Sequence, residues 1–158
     1  MNLTFTRIDL DPHIRSQVAQ ILNDAAVTLT DLYVQSKLAH WNVRGPHFIA
    51  YHELFDQVAE HVQESLDSVA ERAVTLGSSG GQPIGQVAQL SPLDPWPMGE
   101  RHDQHVIRIL SDRLGVAANQ IRSAIAQTAE LDPGSSDLFT EVSRQLDQDL
   151  WFLEAHQE

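Results

Sequence analysis

From His47 to Leu76 the chain runs without a glycine or a proline, directly after the Gly45-Pro46 pair that marks a helix start. That stretch predicts one long helix carrying His52, Asp56, Asp67 and Glu71. Each residue of an α-helix turns by about 100°, so relative to His52 the other three fall at about 40°, 60° and 100°. All four share a face. At a rise of about 1.5 Å per residue, His52 and Glu71 stand roughly 28 Å apart along the axis. Bonds from such ligands to a metal are only about 2 Å long, so one copy of the helix cannot bring both ends to one ion.

The spacing suggests a resolution. The pairs 52/71 and 56/67 are both symmetric about the point between His61 and Val62. Two antiparallel copies crossing there on a two-fold axis would set each early pair against a late pair from the other copy. A C2 interface makes every such contact twice. The pattern therefore predicts two identical metal sites per dimer, each built from both chains, with His40 as a further early ligand. Ala59 and Ala70, at about −20° and 0°, are expected to let the two helices approach closely on that face.

Composition narrows the classes. A length of 158 residues with 42% hydrophobic content suits one globular unit with a sizeable core. The absence of cysteine excludes disulfides and thiolate metal sites. No apolar run approaches the roughly 18 residues of a membrane span. The opening MNLTFTRIDL lacks a signal-peptide pattern. A cytoplasmic location without a membrane partner is the expectation. The formal charge is −12 and Lys37 is the single lysine. Such a surface repels phosphate backbones and draws cations toward any acidic opening, although acidity also serves solubility alone.

Taken in order, residues 1–10 read as a short irregular arm. Asp11-Pro12 opens a first helix, with Asp at the N-cap and Pro at the first helical position. It continues to about His40 on a stripe of Ile14, Val18, Ile21, Ala25, Leu29, Leu32 and Ala39. The second helix is expected to turn Phe48, Phe55, Val62, Leu66, Val69 and Ala73 toward its own bundle. Residues 77–99 are rich in Gly, Pro and Ser, with one or two helical turns over I-G-Q-V-A-Q-L, and Ile84 and Trp96 are expected to pack. A third helix spans roughly Glu100–Glu130 and tolerates Gly115 at a cost of about 1 kcal/mol. Asp132 to Ser136 reads as a turn, and a fourth helix runs from about Ser136 to His156. Four helices, one long crossover and two short turns give an all-α, ferritin-like four-helix bundle with a short extra helix in the crossover between helices 2 and 3.

The motifs H-W-N-V-R-G at 40–45, F-I-A-Y-H-E-L-F-D at 48–56 and D-S-V-A-E at 67–71, with the tail L-D-Q-D-L-W-F-L-E-A-H, closely resemble the mini-ferritins called Dps. The resemblance covers nearly the whole chain, 1–158, as a single ferritin-like domain. It implies a hollow homo-dodecamer built from two-fold dimers. Such an assembly oxidises Fe(II), preferably with hydrogen peroxide and otherwise with dioxygen. It stores ferric mineral and protects the cell from oxidative damage. His40 would bind the tighter iron with Asp67 and Glu71 of the partner copy. His52 and Asp56 would serve a weaker second iron, for two per site at most, with zinc as a substitute. Hard carboxylates favour the ferric product while imidazole binds Fe(II) well. Open coordination positions would admit the oxidant.

Bland readings stand beside these. Asp67 and Glu71 could pair with Arg72, and Trp41 could be a core residue rather than a sink for oxidising equivalents. Glu130, Asp132 and Asp137 flank the last turn, where the resemblance implies an acidic pore and composition alone implies a solvated loop. His47, His61, His102 and His105 read as surface or core residues, with His61 near the proposed axis and open to a stray metal. A larger-ferritin site inside the bundle would show Glu-x-x-His pairs, and none occurs. DNA-binding relatives carry lysine-rich arms or basic tails. Here the arm holds Arg7 and no lysine, and the sequence ends two residues after His156. Direct DNA binding is therefore not expected.

Overall fold

Five helices follow one another along residues 3–157, the part that the computed structural model describes. They are α1 (Pro12–Asn42), α2 (Phe48–Thr75), α3 (Ile84–Leu90), α4 (Asp103–Thr128) and α5 (Pro133–Glu154). Met1 and Asn2, the tip of the expected arm, and Glu158 lie outside the described residues. The four long helices form the expected bundle, in which α1 packs chiefly on α2 and α4 on α5. The crossover between α2 and α4 carries α3, which lies against α1. Among the described residues no helix is long and apolar enough to cross a membrane.

Local chemistry sets the helix ends. The Asp11 carboxylate accepts the His13 N–H at 2.7 Å and Pro12 takes the first helical turn, as the sequence predicts. Between α1 and α2 the chain turns sharply at Gly45, whose φ is +149°. A Cβ there would overlap the Asp103 carboxylate, so only glycine fits. Arg44 pairs with the strand-like approach to α4. Its N–H donates to the Arg101 carbonyl at 2.7 Å and its carbonyl accepts the Asp103 N–H at 2.9 Å. The start of the crossover is fixed by Asn23, which donates to the Ser79 carbonyl and accepts the Gly81 N–H. Its far end is held where Gln35 and Arg113 both donate to the Asp94 carbonyl.

The core runs the length of the bundle through Leu22, Leu29, Leu32, Phe55, Val62, Leu110, Leu114, Ile121, Phe139 and Leu146. Each fully buried side chain of this kind stabilises the fold by about 1.5–3 kcal/mol.

Several expectations are corrected. Helix α5 begins at Pro133, because proline is pre-organised for a first helical turn and needs no N–H partner there. Asp137 therefore sits inside the helix rather than at its start. Phe48, expected inward, is exposed at the head of α2, and Ile84 is exposed on α3 while Trp96 does pack. Ala59 is buried in its own chain's core and not on the proposed two-fold face, since at about −20° it lies on the border between the two faces.

Candidate metal centre

His40 closes the last turns of α1 and His52 opens the first turns of α2, and the short corner between them brings the two rings into contact. Their centroids are 3.7 Å apart with planes inclined by 21°. The pair is reciprocally tethered. His40 Nδ1 lies 2.7 Å from the His52 carbonyl, and His52 Nδ1 lies 2.9 Å from the His40 carbonyl. A carbonyl only accepts, so each Nδ1 carries the proton and each Nε2 keeps its lone pair. This is the arrangement that ligating histidines use to fix ring orientation and tautomer.

Asp56, one turn after His52, lies 3.9 Å from His40 Nδ1 and bonds to the Lys37 ammonium. The Lys37 hydrogen bond outweighs the opposing effect of burial and, with the Lys37 charge, holds the Asp56 carboxyl below the usual aspartate range. It therefore stays anionic at neutral pH. Lys37 also lies 5.9 Å from the Trp41 ring centre. Trp41 is 65% exposed beside the site, so within one chain it is not the core residue that the sequence also allowed.

Asp67 and Glu71 are exposed on the far half of α2, on the same face as His52 and Asp56. Arg72 does not pair with them. Its guanidinium is taken by Asp132 at 2.7 Å and Ser135 at 3.0 Å. Among the described residues of one chain, no three His, Asp or Glu side chains gather closely enough to hold an ion. His40 contacts His52 and lies near Asp56; Asp67 and Glu71, on the far half of α2, stay apart from them. The exposed apolar side chains Ile49 (63%) and Val74 (55%) flank the two halves on this face. Their positions obey the same symmetry about His61 and Val62 as the acidic and imidazole pairs.

A ferritin-like domain model matches residues 19–158. The DNA protection during starvation protein of Agrobacterium fabrum is 40% identical over 152 residues, covering 96% of this chain and 94% of that one. The chain belongs to the Dps family of ferritin-like proteins. Two solved Dps structures are similar to it throughout. The tetragonal form of Mycobacterium smegmatis Dps superposes with a TM-score of 0.93 at 32% identity, covering 98% of this chain and 95% of that one. Dps from Microbacterium arborescens, in its high iron form, gives 0.88 at 36% identity, covering 92% and 95%.

Three features of this Dps chain escape local sequence patterns. One is the Lys37–Asp56 pair, which joins two helices. Another is Asp132, offered by the sequence as a pore carboxylate. The structure buries it and commits it to Arg72 and Ser135, leaving Glu130 and Asp137 as the exposed carboxylates of that corner. Burial raises its pKa, but the bonds from Ser135 and Arg72 outweigh burial and hold it below the usual range. The third is His61. It turns away from the proposed two-fold face toward α5, where its Nδ1 meets Asp149 at 2.9 Å. Asp149 occupies an inward register of α5, between Leu146 and Leu153. A carboxylate on an apolar stripe was the available signal.

Proposed function

We propose that this Dps protein is a ferroxidase and iron-storage mini-ferritin. Its dinuclear centres lie between antiparallel α2 helices of two-fold related copies. One observation carries this reading: His40 and His52 are stacked and locked through their Nδ1 atoms, with Asp56 3.9 Å from His40, and their complement on the same helix face lies too far away to serve the same ion. The high iron form of the Microbacterium relative supports iron as the cargo.

In this arrangement Fe(II) is the substrate. His40 from one copy binds it with Asp67 and Glu71 of the other, while His52 and Asp56 serve a second ion near the shared Glu71. The reciprocal tethers leave the rings little freedom, so binding loses little side-chain entropy. Asp56 exchanges its bond to Lys37 for the incoming cation. Two ferrous ions oxidised together give two electrons to one peroxide, whose O–O bond breaks to yield two waters with two protons. No hydroxyl radical is released. Zinc competes for the same donors without redox chemistry. Trp41, exposed at the site's edge, is placed to take up a stray oxidising equivalent. Twelve copies enclosing a mineral store complete the reading, with Glu130 and Asp137 as the acidic approach for Fe(II).

The test is anaerobic Fe(II) loading followed by peroxide, with the rise of ferric absorbance timed. His40→Ala with Asp67→Ala is expected to slow the first turnover by at least about tenfold. An unchanged rate means the site is elsewhere.

A further inference from the structure

Outside that centre, α2 and α5 leave a groove of about 490 Å³, lined among others by His61, Glu64, Ser68, Glu141, Arg144 and Gln148. Behind His61, outside the groove's lining, stands a buried acid. Asp149 is 1% exposed, its Oδ1 meets His61 Nδ1 at 2.9 Å, and its Oδ2 has no hydrogen-bond partner among the described residues. Gln145 braces the pair, donating to the same Oδ1 at 3.3 Å and lying 3.0 Å from Nδ1. An ionised carboxylate with an orphaned oxygen in the interior is costly unless a positive charge compensates it. Burial accordingly pushes the Asp149 carboxyl up, and His61 only partly opposes that.

A proton on Nδ1 facing Asp149 leaves the His61 Nε2 lone pair available on the groove side of the ring. A carboxylate behind the far nitrogen raises the basicity of a ligating imidazole and fixes its direction. Glu64 follows His61 by one turn of α2 and Glu141 stands on α5 across the groove; as placed they do not gather round His61 closely enough to hold an ion, but both are exposed, so their rotamers are free to swing inward. Arg144 lines the same groove and is the resident cation that an incoming ion must outcompete.

We propose that His61, backed by Asp149 and joined by Glu64 and Glu141, forms a mononuclear site for a divalent transition metal in the α2–α5 groove, separate from the dinuclear centre. One imidazole with two carboxylates selects Fe(II), Co(II) or Zn(II) over Mg(II). The site uses one chain only, so it stands whether or not the two-fold reading holds.

Co(II) is the probe, soaked into crystals for anomalous scattering and titrated calorimetrically into protein carrying His40→Ala, His52→Ala, Asp56→Ala, Asp67→Ala and Glu71→Ala, which removes every ligand of the dinuclear centre. A cobalt peak is expected about 2.1 Å from His61 Nε2, with one ion bound per chain in the titration. Asp149→Asn reverses the preferred tautomer and is expected to weaken binding at least about tenfold. Glu141→Gln leaves the buried pair untouched and is expected to weaken it similarly. No cobalt in the groove at a concentration that fills the wild-type dinuclear centre, or unchanged affinity in both variants, overturns the proposal.

Discussion

His40 and His52 each present the nitrogen they do because the other nitrogen is occupied by a backbone carbonyl. Fixed orientation leaves cation competition as the adjustable quantity, and Lys37 is the competitor. Lys37→Gln removes the charge that Asp56 must release. It is expected to raise Co(II) affinity at the weaker half of the centre by about tenfold, since replacing one charge-assisted hydrogen bond is worth about 1.5 kcal/mol. Equilibrium titration of the two proteins checks this. Gly45 is the other residue with no freedom. Gly45→Ala combines a positive φ with overlap of the Asp103 carboxylate. A loss of about 3–4 kcal/mol is expected in chemical denaturation, together with slower iron oxidation because the corner sets His40 against His52.

At the scale of elements, the α4–α5 corner depends on one buried acid. Asp132 is held below its ordinary value of 3.8. A group of that kind contributes stability that is complete above pH 3.8 and is lost as pH falls through its folded value. Asp132→Asn is expected to remove that part of the acid limb in a plot of Tm against pH. Arg72→Ala, which strands the same carboxylate, is expected to cost about 3 kcal/mol at neutral pH. The bundle was legible because its helices are long and their starts are chemical: Asp11-Pro12 and Gly45-Pro46 are written in adjacent residues. The start of α5 was misplaced because Asp-Pro-Gly serves a turn and a helix start equally well. The face carrying His52, Asp56, Asp67 and Glu71 followed from periodicity alone. Lys37 against Asp56, Arg72 against Asp132 and His61 against Asp149 did not. Each joins side chains on two helices, and no local period encodes a partner 19, 60 or 88 residues away. Ala59 shows the limit of a helical wheel, where about 20° decides between core and interface.

On the proposed reading, the whole molecule completes its site only by pairing. Ile49 and Val74 leave apolar side chains exposed at symmetric positions on the face that carries the ligands, where antiparallel pairing would set each against the other copy. Val74→Glu leaves every candidate ligand in place. It is expected to shift sedimentation toward the single chain and, in the same samples, to abolish rapid iron oxidation. Normal oxidation by a monomeric variant would refute the shared centre. The charge of −12 per chain multiplies with assembly, so no retardation of plasmid DNA is expected in a low-salt gel. The lone lysine has a practical bearing. An amine-directed acylating reagent meets one ε-amine in each chain, the one that rests against Asp56 and Trp41. A dye, biotin or resin coupled through lysine is thereby attached inside the candidate centre and alters the chemistry it was meant to report.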